Sequence, residues 1–183
     1  RMHEVARLIT ADDESKIVVL SALSGTTNSL VEISNSLAKA DRAAAKQQIA
    51  TLEAHYRSFC TQLVKTPAAL EKTSAIVNEH FEFLNIITKI SFSEALNKDI
   101  LAQGELLSTK LFSVYLDEAG IDHALIPALD FMTIDNYDEP QIGSIKVKLT
   151  QILHKHQDKK LFITQGYISR NSKGEVDNLK RGG

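Results

Sequence analysis

Apolar residues in this chain follow two patterns. Short unbroken runs, Ile17 to Leu20 and Leu161 to Thr164, are rich in β-branched and aromatic residues and too short for helices. They predict strands, and the first predicts a strand covered on both faces. Elsewhere apolar residues recur at steps of three and four, as in Val5, Leu8 and Ile9, then Leu30, Ile33 and Leu37. The same spacing runs through Ile49, Leu52, Tyr56, Phe59, Cys60 and Leu63, through Ile76, Val77, His80, Phe81 and Leu84, and through Leu107, Leu111, Val114 and Tyr115. Ile142, Ile145, Leu149, Ile152 and Leu153 close the series. These stripes predict helices over 1–10, 30–39, 41–64, from Pro67 onward, 99–119 and from 142, each with one buried face.

Breaks fall where turn chemistry is available. Ala40-Asp41, Pro67, Gly120 and Gln165-Gly166 bound the periodic segments, and Asp122 to Ala128 predicts a short strand ending at Pro127. Phe131 to Gln141 is irregular and acidic, with Asp135, Asp138 and Glu139, and reads as a solvated loop in preference to a metal site. No glycine occurs between Leu30 and Gln103. Residues 41–98 therefore read as a large helical insertion, a layer or lid on an α/β core. Strands separated by helices predict a mainly parallel sheet with ligands at the carboxyl ends of its strands.

Composition narrows the partners. With 21 basic and 23 acidic residues the net charge is −2, which gives no general attraction to nucleic acid or to an anionic membrane. Any anion site must be local. Cys60 is the single cysteine, which excludes an internal disulfide and points to a reducing compartment, the cytoplasm. No apolar run approaches the roughly 20 residues of a membrane-spanning helix. His154 and His156 diverge on a helix, His80 and His123 sit in apolar contexts, and no metal site is expected. The chain opens inside an amphipathic helix and stops at Arg181-Gly-Gly, so both ends read as cut.

The candidate chemistry lies in three polar stretches at the ends of predicted elements. Ser21 to Asn28, with Ser21, Gly25 and Thr27, joins a strand to a helix. The first turn of a helix leaves amides unpaired and positively polarised, and a glycine lets an anion come close, although the same residues also make ordinary turns and caps. Gly104 to Thr109 carries Glu105, which either pairs with a substrate ammonium or faces water. Thr164 to Gly166 is the third, and beyond it Arg181 offers either a bidentate anion contact or a charged tail.

Ile-Val-Val-Leu-Ser-Ala-Leu-Ser-Gly-Thr-Thr-Asn at 17–28, Gly-Glu-Leu-Leu-Ser-Thr at 104–109, Thr-Gln-Gly-Tyr-Ile at 164–168 and Leu-Lys-Arg-Gly-Gly at 179–183 together resemble aspartate kinase, and they stand in that family's order. The resemblance implies the amino-acid kinase fold, a three-layer α/β/α sandwich. It implies transfer of the γ-phosphoryl of MgATP to the β-carboxylate of L-aspartate, the first step towards lysine, threonine and methionine. By the same resemblance Ser21 and Thr27 contact the aspartate and the phosphoryl region, Glu105 takes the α-ammonium and Arg181 the carboxylate, with Gly25 and Gly166 as loop contacts. The intact enzyme is expected to be a cytoplasmic homo-oligomer that binds ATP with Mg2+ and neither nucleic acid nor membrane.

The departures are equally specific. The family's opening Lys-Phe-Gly-Gly-Thr-Ser, with the lysine expected to neutralise the phosphoryl, and the Ser-Asp that follows Arg-Gly-Gly are not in these residues, and Pro127-Ala128-Leu129-Asp130 stands where many members have Asp-Ala-Arg-Asp. Residues 1–183 are thus expected to be the amino-acid-binding, N-terminal portion of the catalytic domain, inactive alone. Some relatives continue into a homoserine dehydrogenase. Two other readings stay open: a related kinase acting on another acid or a nucleotide, and a non-catalytic assembly module using the Tyr56, Phe59, Leu63 stripe.

Overall fold

A computed structural model describes residues 1–180. The chain runs α1 (Met2–Ile9), β1 (Lys16–Leu20), α2 (Thr26–Ala38), α3 (Arg42–Leu63), α4 (Pro67–Ile87), α5 (Glu94–Glu118), β2 (Ala124–Leu125), α6 (Ala128–Phe131), α7 (Ile142–Lys155), β3 (Leu161–Gln165), β4 (Ile168–Arg170) and β5 (Val176–Asn178). Strands β1, β3 and β2 form a parallel sheet in that spatial order, with Lys16 to Leu20 paired against Leu161 to Gln165. The short β4 and β5 make a separate antiparallel hairpin that the periodicity did not reveal.

Alternation along β3 builds the layers. Leu161 and Ile163 face Phe112 and Leu116 of α5 and Ala6 of α1, whereas Phe162 faces the other way, into a cluster with Ile145, Leu149, Ile152 and Leu153 of α7. Helices thus cover both faces, as expected. Coverage of β1 is a correction, because Ile17 and Val19 are 44% and 61% exposed. Their register partners are Phe162 and Thr164, so they look toward the α7 side. The apolar residues of α7 cluster with Phe162 and Ala124 and stop short of this edge strand.

The helical layer is better sealed. Leu30, Ile33, Ile49, Tyr56, Phe81, Leu84, Leu107 and Leu111 form one continuous buried cluster across α2 to α5. Tyr56 and Leu63 are core and Phe59 is packed against them, so the stripe proposed as an assembly surface is used internally. Caps define the helices: Asp41 accepts from the Ala44 amide, Thr66 from Ala69 and Ser93 from Leu96. Because Ser93 supplies that cap, α5 begins at Glu94, well before Asp99. Gly104 to Thr109 consequently lies in the middle of a helix, not at the end of an element. The Glu118 carboxylate accepts from the amides of Lys65 and Thr66 and from the Thr66 hydroxyl, binding the end of α5 to the start of α4.

Candidate active site

The loop leaving β1 turns through Gly25, whose φ of +85° is left-handed and costs a glycine nothing. No side chain caps α2; the Thr26 amide donates to the Leu23 carbonyl at 3.0 Å, and the next amides, of Thr27 and Asn28, stand at the positive end of the helix dipole. Ser21, Gly25 and Thr27 are exposed, while Thr26 between them is buried.

Helix α5 passes directly against this loop because residue 104 has no side chain. A methyl group there would lie 2.8 Å from Cβ of Ala22 and 3.2 Å from the Thr26 methyl, inside van der Waals contact. The next residue, Glu105, is 4% exposed. Its Oε1 accepts a long 3.4 Å bond from the Ala22 amide, and its Oε2 has no hydrogen-bond partner. Burial raises the Glu105 carboxyl above the usual carboxylate range, with the Ala22 amide opposing weakly. A buried, half-satisfied carboxylate of this kind lacks a cationic hydrogen-bond donor.

The rest of the motif holds this geometry. Ser108 donates to the Ser21 carbonyl at 2.8 Å and Thr109 to the Glu105 carbonyl at 2.9 Å. Gln165, at the end of β3, donates to the Thr109 hydroxyl at 2.7 Å and accepts from the Ala128 amide at 2.7 Å. The Gly166 amide donates to the Leu20 carbonyl, and a methyl at 166 would stand 3.8 Å from the Ser21 hydroxyl. Two stretches far apart in sequence, 104–109 and 165–166, therefore converge on the loop after β1. The structure brings Ser21, Glu105 and Gly166 together and leaves Gly25 and Thr27 exposed at the start of α2. Arg181 lies outside the described residues.

Sequence reasoning gave Ala22 and Thr26 no role and read Tyr56 only as part of a helical stripe, not as a neighbour of the site. The Thr26 hydroxyl meets that of Tyr56 at 3.0 Å, a pairing across thirty residues that neither the 17–28 motif nor the α3 stripe announces. His80 is buried, with Nδ1 2.6 Å from Gln103 Oε1, and burial depresses its basicity. His123 is held by the Ser113 hydroxyl and the Ile121 carbonyl. A hollow of about 370 Å³ between α2 and α3 is lined by Ser24, Gly25 and Thr26 but not by Ser21 or Glu105, so it lies beside the convergence, not on it. Among the described residues no three His, Cys, Asp or Glu side chains are grouped to hold a metal, and no helix is long and apolar enough to cross a membrane.

No protein-family model matches the chain. Bifunctional aspartokinase/homoserine dehydrogenase 2 of Escherichia coli (strain K12) is 31% identical over 169 residues, which are 91% of this chain and 20% of that protein. The homologues of this chain are aspartokinases and bifunctional aspartokinase/homoserine dehydrogenases. Lysine-sensitive aspartokinase 3 of the same organism is 28% identical over 185 residues, covering 100% of this chain and 40% of the relative. The crystal structure of E. coli aspartokinase III in complex with aspartate and ADP superposes with a TM-score of 0.82 at 24% identity, over 100% of this chain and 40% of that one. The fold is accordingly that of part of an aspartokinase. The chain spans 20% to 40% of the length of these two aspartokinase relatives.

Proposed function

We propose that this chain is the amino-acid-binding portion of an aspartate kinase, in which the loop after β1 and the middle of α5 hold L-aspartate while its side-chain carboxylate takes the γ-phosphoryl of ATP. The observation that carries the reading is Glu105, a buried carboxylate with one unpaired oxygen beside an uncapped helix start. A zwitterionic amino acid has complementary groups. Its ammonium satisfies Glu105, and the ion pair returns the carboxyl to its charged form.

The Thr27 and Asn28 amides at the start of α2, with the hydroxyls of Ser21 and Thr27, offset negative charge where a carboxylate and a phosphoryl group meet. Arg181 pairs with the α-carboxylate in this reading. A β-carboxylate oxygen forms the new bond to phosphorus as the bond to the ADP oxygen breaks, and no proton need be removed from a nucleophile already ionised. The protein's contribution is then alignment and electrostatic offset. Mg2+ accompanies the nucleotide; the described residues group no set of ligands for it, and what they supply is the amino-acid side. The lone Cys60, buried in the core, suits a reducing cytoplasm, and assembly as a homo-oligomer belongs to the intact enzyme.

The test is a coupled ADP-release assay on the full-length protein with L-aspartate, L-glutamate and a nucleoside monophosphate as alternative acceptors. Aspartate-dependent turnover is expected, and Glu105→Ala should raise KM for aspartate at least tenfold, since removal of a buried charged partner costs about 3–5 kcal/mol. Unchanged aspartate kinetics would remove Glu105 from the site. The chain alone is expected to be inactive, and turnover near that of the full-length protein would overturn that expectation.

A further inference from the structure

We propose that Tyr56, in the helical layer, is a positioning residue for the amino-acid side of this site, setting the first turn of α2, and with it Thr27 and the Gly25 turn, against Glu105. The inference rests on the aspartate-site reading above. It begins from Thr26, which is 1% exposed although its neighbours on either side are open to solvent.

Thr26 is held from two directions. Its hydroxyl meets the Tyr56 hydroxyl at 3.0 Å, across thirty residues of sequence. Its methyl group packs where Gly104 leaves room, one residue before Glu105. One end of this side chain is therefore gripped by α3 and the other by α5. The amide of the same residue donates to the Leu23 carbonyl at 3.0 Å, which ties the turn to the loop, and the link to Tyr56 fixes it sideways against α3.

Tyr56 is itself fixed. Its side chain is fully buried, and its ring lies 5.9 Å from that of Phe81 of α4 at an interplanar angle of 57°. A chain of contacts thus runs from α4 through α3 into the turn that presents Thr27. Burial also drives the Tyr56 hydroxyl far above its ordinary range, so it stays protonated at every pH at which the protein would be assayed. The link is not a pH switch. Its role is geometric, and small displacements of substrate-holding groups weaken binding and catalysis steeply.

Tyr56→Phe keeps the ring and removes the hydroxyl; Thr26→Val keeps the shape and removes the other partner. In the full-length protein each should raise KM for aspartate about five- to tenfold and lower kcat severalfold, with KM for ATP within about twofold of wild type, since the displaced turn carries Thr27 and not the nucleotide contacts. The double variant should match either single one, as expected when both changes break one interaction. Circular dichroism and thermal melts on the same samples verify folding, and Thr26→Val, at a position against the loop, reports even if Tyr56→Phe fails to fold.

Unchanged aspartate KM in both folded variants overturns the role of Tyr56 while leaving the aspartate site standing. Equal rises in KM for aspartate and ATP, or additive effects in the double variant, overturn it in favour of a general structural role. A wild-type protein without aspartate-dependent turnover overturns the site reading and this inference together.

Discussion

Helices α2 to α5 bury Leu30, Ile33, Tyr56, Phe81, Leu107 and Leu111 almost completely, whereas on the sheet side Ile17 and Val19 remain largely open and α7 has no fully buried residue. The difference teaches where rigidity resides. Glu105 and Thr26 belong to the sealed region, and the loop from Ser21 to Gly25 leans on it from outside. The candidate site is thus positioned by the helical layer, with the sheet supplying the starting point of the loop.

The largest effect should come from the sealed side. Phe81→Ala or Leu111→Ala is expected to cost about 3–5 kcal/mol in urea denaturation, the range for large-to-small changes in a closed core. A loss under about 1 kcal/mol would show that the layer is not packed as described. Gly104→Ala comes next. Alanine normally favours a helix interior by about 1 kcal/mol over glycine, but here its methyl meets Ala22 and Thr26. Overpacking of about 1–3 kcal/mol less that gain leaves a net cost of up to about 2 kcal/mol; net stabilisation would mean that α5 can move off the loop without penalty.

Glu105→Gln should act in the opposite direction on stability while impairing aspartate use. A carboxyl whose folded pKa is raised stabilises the protein below the ordinary carboxylate range, and that contribution is lost as pH rises through the higher folded value. The glutamine variant of the ligand-free protein should therefore match wild type in acid and become the more stable of the two toward neutral pH, by on the order of 1 kcal/mol, comparable to one unsatisfied buried polar atom. Melting curves at a series of pH values measure this, and a constant offset across the series would contradict it. The smallest effect is expected on the open face, where Val19→Ala should change stability by no more than about 0.5 kcal/mol. A change several times larger would place Val19 under cover.

The sequence made the sealed region legible because its signal is repeated. Stripes such as Ile49, Leu52, Tyr56, Cys60 and Leu63 recur over many turns, so α3 lies close to its predicted bounds and α4 starts at Pro67 as predicted. Strands β1 and β3 were readable as short apolar runs, but β1's missing cover was not, since Ile17 and Val19 look the same in sequence whether a helix reaches them or stops short. The start of α5 was missed because Ser93 and Glu94 precede any apolar stripe. The β4–β5 hairpin has strands of three residues, too short for a period to register. At the site, Glu105 and Ser21 were visible through their motifs. Gln165 sat inside a motif without an evident task, and its bridge from Thr109 to Ala128 exists only once α5, α6 and β3 are assembled. Thr26 and Tyr56 are ordinary residues whose meaning depends wholly on being neighbours.

The open strand β1 also has a practical consequence. Its backbone edge away from β3 has no strand partner among the described residues, and the side chains beside it are Ile17 and Val19. Such an edge can accept a strand from another molecule, and Lys16 is the one charged residue in the strand to discourage it. Preparations of this chain by itself should lose material to aggregation as concentration rises, and a second lysine at Val19, on the exposed face, is the substitution expected to keep it in solution.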